Sequence, residues 1–269
     1  MRYVRFDDAG EPCWGQLDGD GVVALSAAPY LGGQPVGAAR PLAGLRLLAP
    51  AEPSKVLCVG MNYRTHRADQ HGSDRVIADI LARNMADAAP DKEPILFLKA
   101  PSALVGPGEA IVLPPQASRV DYEAELALVI GRRLVRPASR QEALAGIFAY
   151  TCANDVSARD VQERDVQWTR AKSFDTFCPL GPWLESGFDP ADRVVEGILN
   201  GEVRQCTSTR DLLADPGQLV YFAAQAMTLL PGDVFLTGTP SGIASLTPGD
   251  RFTVRIEGIG ELSNPVRAL

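Results

Sequence analysis

The sequence predicts a mostly β protein of the α+β class. The 25 glycines and 21 prolines among 269 residues indicate many turns. Short apolar segments recur between Gly/Asp and Pro/Gly turns, which is typical of β-rich chains. The turn Pro-Gly-Asp occurs twice, at 231–233 and 248–250, and each copy precedes an apolar strand. Few segments have the length and periodicity of a helix, so strands should dominate.

The N-terminal part is predicted to form a small antiparallel β unit. Alternating apolar and polar residues indicate three short strands, at Tyr3–Phe6, Pro12–Leu17 and Val22–Leu25. A segment rich in proline and glycine, from Pro29 to Pro53, is the candidate linker. We therefore expect a small β domain with its linker at residues 1–53 and a larger domain at residues 54–269.

Charge and composition exclude several classes of partner. The net charge is −7 and no block of Lys or Arg occurs, which argues against nucleic acid and anionic membranes. No apolar run reaches the roughly 18 to 20 residues of a membrane helix, and the N-terminus lacks a signal-peptide core. Five scattered cysteines without a C-x-x-C pair argue against disulfides or a zinc site. We expect a cytoplasmic protein that acts on a small molecule.

The most informative stretch runs from Val120 to Gly131. Its apolar part, Leu126–Ile130, is predicted to be a buried strand. Glu123 and Glu125 precede it, and residues two apart in a strand project to the same face. Two like charges at the edge of a core are costly unless they are neutralised, and a divalent cation with oxygen ligands does this. Because the motif is short, a solvated strand end with both acids in water is the alternative.

A third carboxylate follows the next predicted strand. The apolar run Ile147–Ala153 ends at Asn154 and Asp155. Functional side chains collect where strands end, so Asp155 is well placed to supply a third oxygen ligand. Its alternative role is the N-cap of a solvent-facing helix.

Polar and basic side chains follow within one short region. Arg159, Gln162 and Lys172 all lie between Ala158 and Asp175. The planar fork of an arginine suits a carboxylate, and the point charge of a lysine suits a developing oxyanion. Such side chains are ordinarily solvated, but the neighbouring Trp168 and Phe174 indicate partial burial and favour a site.

A histidine beside a carboxylate is the candidate general base. His66 follows the predicted strand Lys55–Val59 and lies three residues before Asp69, so the two side chains would be neighbours on a helical turn. A carboxylate orients an imidazole and raises its basicity. A surface pair is the alternative, and His71 competes for the same role. The following segment, 72–93, has an amphipathic pattern that fits either a mobile lid or a surface excursion.

The C-terminal third adds a helix and a small-residue loop. Apolar spacing predicts the helix at Leu219–Leu229, before the first Pro-Gly-Asp turn. A predicted strand, Val234–Leu236, then leads into the loop Thr237–Gly242. This loop can offer hydroxyls and backbone N–H groups to an anionic ligand, although the motif is weak by itself.

Five ordered motifs resemble the fumarylacetoacetate hydrolase family. They are Gly60-Met-Asn-Tyr63 with His66, Asp121-Tyr-Glu-Ala-Glu125, Ala153-Asn-Asp-Val-Ser-Ala-Arg-Asp160, Ala171-Lys-Ser-Phe-Asp-Thr176 and Leu236-Thr-Gly-Thr-Pro240. The resemblance spans about residue 54 to the C-terminus, and the N-terminal unit looks like the small domain of many bacterial members. It implies a mixed β-sandwich or roll, a Mg²⁺ or Mn²⁺ centre and a homodimer.

The resemblance also implies a role for each site residue. By motif position, the metal carboxylates are matched by Glu123, Glu125 and Asp155, and the lysine near the developing oxyanion by Lys172. Substrate-contacting positions are matched by Arg159, Gln162 and Thr239. The histidine of the pair that activates water is matched by His66, with Asp69 where acylpyruvase-type hydrolases commonly have Glu.

The implied reaction is metal-dependent hydrolysis of a C–C bond in a 2-oxo acid with a 1,3-dicarbonyl arrangement. The metal would act as a Lewis acid that stabilises an enolate. Decarboxylation of oxaloacetate and isomerisation of the 2-hydroxymuconate type pass through the same enolate and stay open as alternatives. A sugar-acid dehydratase or lyase and a catalytically silent ligand-binding protein are further alternatives. The shorter Asp69 and the long segment from His66 to Pro94 bear on the reaction type more than on the metal site.

Overall fold

A computed structural model describes residues 1–63 and 93–269, and β structure predominates in them. The strands, in chain order, are β1 (Arg2–Asp8), β2 (Glu11–Asp18), β3 (Gly21–Leu25), β4 (Pro35–Pro41), β5 (Arg46–Leu48), β6 (Val56–Gly60), β7 (Ile95–Lys99), β8 (Leu104–Val105), β9 (Ile111–Leu113), β10 (Val120–Asp121), β11 (Ala124–Ile130), β12 (Ile147–Asn154), β13 (Ser157–Ala158), β14 (Cys178–Glu185), β15 (Val194–Leu199), β16 (Glu202–Ser208), β17 (Val234–Leu236), β18 (Arg251–Ile256) and β19 (Gly260–Ala268). The α-helices of the described part are α1 (Arg140–Leu144), α2 (Arg159–Asp165), α3 (Thr169–Lys172) and α4 (Pro216–Ala226). The predicted α+β class with mostly β structure is confirmed.

Two sheets pack against each other. The larger has the strand order β4-β3-β2-β1-β14-β12-β11-β17-β6-β7, with β5 paired to β1 and β8 paired to β14. The smaller has the order β16-β15-β18-β19-β9. Most neighbours are antiparallel, but three pairs run parallel: β17 with β6, β19 with β9 and β14 with β8. Strands β11, β12 and β14 contact β15, β18 and β19 across the interface. This arrangement is the mixed β-sandwich that the resemblance implies.

Strand β11 is buried on both faces. Leu126, Leu128 and Ile130 pack into the core between the sheets, whereas Ala127 and Val129 belong to a second core on the opposite face. Successive side chains of a strand alternate between faces. An uninterrupted apolar run therefore satisfies both cores at once, which explains why this part of the strand lacks a polar alternation.

The three N-terminal strands occur as predicted, but the linker prediction is wrong. Within residues 29–53, β4 pairs with β3 and β5 pairs with β1. The prolines at both ends of β4, Pro35 and Pro41, suit an edge strand, where a missing N–H is tolerated. Strand β1 also pairs with β14, so the N-terminal strands extend the larger sheet. The division between residues 53 and 54 stays a prediction.

Helix α4 begins and ends earlier than the sequence predicts. The side chain of Asp215 accepts a hydrogen bond from the N–H of Gln218, and Pro216 occupies the first turn. Both are typical N-terminal signals, and they fix the start before the apolar run. Leu229 leaves the helix and forms a bridge with Leu134. In residues 1–63 and 93–269, none of the helices combines the length and apolar character required to cross a bilayer.

A buried carboxylate holds the start of β17 against the start of β6. Asp233 is fully buried and accepts hydrogen bonds from the N–H of Ser54 (3.0 Å), the hydroxyl of Ser54 (2.7 Å) and the N–H of Leu230 (2.8 Å). It also pairs with the ammonium of Lys55. These contacts lie where the parallel pairing of β17 and β6 begins, at Val234 and Val56.

We predict that Asp233→Asn destabilises the fold by about 3 kcal/mol, because it leaves a cation and several donors without their charged partner. Urea denaturation followed by circular dichroism measures the change. The exposed Asp20→Asn serves as the control and should stay within about 0.5 kcal/mol of the parent. An unchanged midpoint for Asp233→Asn at constant slope would contradict the anchoring role.

Candidate metal centre

The three predicted metal ligands come together at one end of the larger sheet. Each of Glu123, Glu125 and Asp155 offers a carboxylate oxygen, and these oxygens all lie within 4.8 Å of one another. The antiparallel register of β11 and β12 brings them there, because Ala124 pairs with Asn154. The N–H of Asp155 also donates to the carbonyl of Glu123 at 3.0 Å. Glu123 and Asp155 are thus held at opposite ends of one backbone hydrogen bond.

Burial contradicts the alternative of a solvated strand end. The exposed fractions of Glu123, Glu125 and Asp155 are 5%, 2% and 1%. Asp155 is also not the N-cap of a helix, since it lies between β12 and β13. Carboxylates buried this deeply need a compensating charge.

Lys172, the last residue of α3, reaches two of the three carboxylates. Its ammonium donates to Oε2 of Glu123 at 2.8 Å and to Oδ2 of Asp155 at 2.7 Å. Burial opposes its charge, but Asp155 and Glu123 together raise the pKa of Lys172 above its usual value. The side chain is therefore an ammonium that can stabilise negative charge on oxygen, and it is unsuited to act as a neutral base.

A second buried lysine, Lys99, was not identified as a site residue from the sequence. Its ammonium donates to Oδ1 of Asp155 at 2.6 Å and to the carbonyl of Val156 at 3.2 Å. The two oxygens of Asp155 therefore face one lysine each. A signal existed in the sequence, because Lys99 is the charged residue in the otherwise apolar strand predicted at Pro94–Ala100.

Arg159 and Gln162 lie beside the carboxylates, and their predicted contact with a substrate stays a prediction. Arg159 begins α2 and pairs with Oε1 of Glu123. Its Nη1 donates to Oε1 of Gln162, one helical turn away, at 2.9 Å. Its Nε donates to Oδ2 of Asp121 at 3.0 Å. Asp121 ends β10, two residues before Glu123, and the sequence motif alone assigned it no role.

The Thr237–Gly242 loop closes over the start of β11. The hydroxyls of Thr237 and Thr239 donate to the carbonyls of Leu126 (2.8 Å) and Ala124 (2.9 Å), and the N–H of Gly238 donates to Glu125 at 2.6 Å. These threonine hydroxyls bond to the protein itself. A substrate contact of Thr239 stays a prediction.

Gln205, from β16 in the other sheet, fixes the position of Thr239. Its amide donates to the Thr239 hydroxyl at 2.9 Å, and its carbonyl oxygen accepts from the N–H of Ala124 at 2.9 Å. Gln205 is buried and was missed in the sequence, since nothing near it along the chain suggests a polar core position. The role depends on a pairing between sheets, which local pattern does not encode.

The opposite wall of the site is apolar and aromatic. Phe97 and Trp168 meet edge to face with ring centroids 5.2 Å apart, and the ammonium of Lys172 lies 5.0 Å from the Phe97 centroid. Gly60 permits this packing, because a Cβ at that position would lie 2.7 Å from Cζ3 of Trp168. The burial that Trp168 and Phe174 predict for the basic region beside them is found at Lys172, whose side chain is 3% exposed. The site therefore combines one ionic wall with one aromatic wall.

The chemistry of the carboxylates fits a hard divalent cation. Burial raises the pKa of Glu125 well above its ordinary value, and the nearby Asp155 and Glu123 raise it further. Glu125 therefore resists ionisation unless a further positive charge arrives. Three oxygen ligands without nitrogen or sulfur favour Mg²⁺, Mn²⁺ or Ca²⁺ over softer ions. Within residues 1–63 and 93–269, this is the one group of three or more acidic, histidine or cysteine side chains with ligand spacing.

Three predicted positions, His66, Asp69 and His71, lie outside the described residues, as does nearly all of the amphipathic segment at 72–93. Their predicted roles as general base, orienting carboxylate, competing histidine and lid stay predictions.

Comparison with known families identifies the larger part of the chain. Residues 55–267 match the family described as fumarylacetoacetate (FAA) hydrolase C-terminal. The chain belongs to the fumarylacetoacetate hydrolase family. Residues 1–50 match the family described as Rv2993c-like, N-terminal. The chain is therefore a member of an enzyme family, and the match covers all three carboxylates.

Individual relatives cover most or all of the chain. It is 42% identical to Protein Rv2993c of Mycobacterium tuberculosis, over 99% of this chain and 98% of that protein. It is 39% identical to the mitochondrial oxaloacetate tautomerase FAHD2A of Bos taurus, over 84% of this chain and 71% of that protein. The solved structure of 5-carboxymethyl-2-hydroxymuconate delta-isomerase from Mycobacterium smegmatis is 40% identical, with a TM-score of 0.87 and 100% of both chains covered. A solved structure with an isomerase name thus has this fold, and a protein named as a tautomerase is similar in sequence.

We predict that Glu125→Gln raises the melting temperature of the metal-free protein at neutral pH and abolishes its stabilisation by Mn²⁺. The folded-state pKa of Glu125 lies above the unfolded value of about 4.3, so the carboxylate costs stability as the pH rises above that value, and an amide removes the cost. At about 100 times its dissociation constant, Mn²⁺ should stabilise the parent by about 2.7 kcal/mol. Differential scanning calorimetry with and without Mn²⁺ measures both effects.

The matched control for that experiment is Asp233→Asn, which also converts a fully buried carboxylate to an amide. Asp233 adjoins Ile130, five residues along β11 from Glu125 and therefore about 17 Å away. Its melting temperature should fall, but its response to Mn²⁺ should persist. A full Mn²⁺ response in Glu125→Gln would show that Glu125 is not a ligand.

Proposed function

We propose that this protein is a divalent-metal-dependent enzyme that acts on 2-oxo acids with a 1,3-dicarbonyl arrangement and hydrolyses a C–C bond. The observation that carries the proposal is the convergence of Glu123, Glu125 and Asp155 beside the protonated Lys172. Such a site can hold a hard cation and place a positive side chain next to oxygen that becomes negative.

Glu123, Glu125 and Asp155 would hold Mg²⁺ or Mn²⁺. When bound, the ion supplies Lewis-acid polarisation of a 2-oxo carboxylate and charge stabilisation for an enolate. The chain supplies the remaining elements. In the protein alone, Asp155 and Glu123 raise the pKa of Lys172 above its usual value, and its ammonium would donate to the enolate oxygen.

Arg159 and Gln162 would bind the substrate carboxylate. The guanidinium already holds one carboxylate of the site, Glu123, and its planar fork suits a second carboxylate with bidentate geometry. Gln162 accepts from Nη1 of Arg159 and so limits the rotation of the fork. The aromatic wall of Phe97 and Trp168 would exclude water from the side of the substrate opposite these polar contacts.

Hydrolysis requires one step beyond enolate stabilisation, namely deprotonation of a water molecule. His66 is the proposed base for that proton, and Asp69 the proposed carboxylate that orients its imidazole. This part of the proposal is supported by the sequence motif alone.

Isomerisation or tautomerisation of a 2-oxo acid is the second candidate. The names of two relatives favour it, an oxaloacetate tautomerase and a hydroxymuconate isomerase. Both reactions need the enolate without an activated water. The same Lys172, Arg159 and carboxylates serve either reaction, so the two candidates differ in their need for His66.

We predict that Lys172→Met lowers kcat on both acetylpyruvate and oxaloacetate by about 10²-fold to 10³-fold, since a donor to the developing oxyanion is lost. Steady-state kinetics with saturating Mg²⁺ measures the loss, and Mn²⁺ titration tests whether the metal still binds. Arg170→Met removes an exposed cation from the same helix and should leave kcat unchanged. A normal kcat for Lys172→Met would exclude this lysine from the reaction.

We predict that His66→Ala abolishes hydrolysis of acylpyruvates but preserves tautomerisation or decarboxylation of oxaloacetate, because only hydrolysis needs the activated water. Parallel assays of both reactions on the purified variant, with Mg²⁺ present, test this. His71→Ala is the matched control, since it removes the chain's other histidine. If only His71→Ala loses hydrolysis, His71 is the general base. If both variants hydrolyse acylpyruvates undiminished, neither histidine is the base.

A further inference from the structure

The side chain of Asp121 is buried and fully occupied by hydrogen bonds. It accepts from Nε (3.1 Å) and Nη2 (3.0 Å) of Arg119, from Nε of Arg159 (3.0 Å) and from the hydroxyl of Ser245 (3.1 Å). A carboxylate offers about four lone-pair positions, and four donors fill them. Asp121 lies outside the group of three clustered carboxylates. Any influence that it has on the site therefore passes through a neighbour.

That neighbour is Arg159, which is shared between two carboxylates. Its Nε is committed to Asp121, and its terminal nitrogens contact Glu123 and Gln162. The guanidinium is planar, so fixing Nε at one edge and Nη1 at the other fixes the whole plane. Two contacts from opposite directions also oppose collapse of the arginine onto Glu123.

We propose that Asp121 is a positioning residue that divides Arg159 between itself and Glu123, and so keeps the terminal nitrogens available to an anionic ligand. Among the described residues, Glu123 is the carboxylate partner that Arg159 keeps when the negative charge of Asp121 is removed. The guanidinium then moves fully onto Glu123, where it competes with a metal ion for that oxygen and withdraws from the ligand. The inference rests on the proposed function only in taking the ligand to be the carboxylate of a 2-oxo acid.

Two exposed residues, Arg119 and Ser245, hold Asp121 from the surface. Arg119 is 56% exposed and donates to both carboxylate oxygens of Asp121, and the hydroxyl of Ser245 donates to one of them. The backbone supports the same arrangement, since Asp121 and Ser245 form a bridge. Because these two residues are exposed, substituting them opens no cavity. Their variants therefore test the support of Asp121 with little effect on the stability of the fold.

The decisive experiment is a double-mutant cycle between Asp121 and Arg159, with oxalate as the probe ligand on Mn²⁺-loaded protein. Isothermal titration calorimetry gives the dissociation constants of Mn²⁺ and then of oxalate. We expect Asp121→Asn to weaken oxalate binding at least tenfold in the parent and by less than twofold in an Arg159→Met background. Equal weakening in both backgrounds, or no weakening in the parent, would overturn the proposal.

Three further measurements separate positioning from general destabilisation. Asp233 is a buried carboxylate that directly precedes β17, at the end of the strand away from the site. The variant Asp233→Asn should be less stable but should bind oxalate with unchanged affinity. Asp121→Glu, which restores the charge, should recover part of the lost affinity. If Asp121→Asn does not fold, the double variant Arg119→Met/Ser245→Ala replaces it. An affinity for oxalate that falls at least threefold in the parent but not in the Arg159→Met background supports the proposal. An unchanged affinity for oxalate overturns it.

Kinetics adds a readout that a merely structural defect does not produce. For any 2-oxo acid that is turned over, Asp121→Asn should raise KM at least tenfold and lower kcat less, because the ligand carboxylate loses its partner. A tenfold fall of kcat with an unchanged KM would contradict the positioning role. If no 2-oxo acid is turned over, the proposed function fails, whereas the oxalate cycle still decides the role of Asp121.

Discussion

The candidate site depends on the backbone register between β11 and β12. Pairing of Ala124 with Asn154 sets Glu125 against Ala153 and brings Asp155 beside Glu123. A slip of one residue would turn both glutamates to the opposite face, into the core that Leu126 and its neighbours fill. Side-chain size opposes that slip, because large side chains of β11 pack into one core and the smaller Ala127 and Val129 pack into the other. The hydrophobic core thus fixes the geometry of the acidic cluster.

Within this fixed geometry, the charges are unevenly balanced. Both oxygens of Asp155 face lysines, and Glu123 contacts Lys172 and Arg159. Among the described residues, Glu125 accepts only the N–H of Gly238. In a low-dielectric interior an underpaired carboxylate is costly, which is why the pKa of Glu125 rises. An added cation would therefore gain the most electrostatic stabilisation beside Glu125.

The sequence predicted those parts of the site that follow from local periodicity. Glu123 and Glu125 share a face because strands have a period of two, and Asp155 ends an apolar run. Gln205 was missed because its partners come from distant parts of the chain, which periodicity does not reveal. Lys99 stood out as a charge in an apolar strand, but that pattern does not indicate its partner, Asp155. The same limit explains the wrong linker at 29–53, since proline and glycine mark a free connection and a protected edge strand alike. The composition of residues 29–53 does not reveal that two parts of the segment pair with neighbouring strands, and this pairing makes them strands.

Strand direction explains why functional groups from distant segments meet at one edge of the sheet. The end of β12, the start of β11, and the ends of β17 and β6 all lie there, because β11 runs antiparallel to β12 and β17 while β17 and β6 run parallel. Asn62, just beyond β6, bonds to the carbonyls of Ala214 and Thr237 and so ties this edge to the loop after β17. A polar cluster built on four rigid strand ends holds its side chains more closely than one built on free loops. This rigidity lets a fully bonded residue such as Asp121 influence the site from outside the acidic cluster.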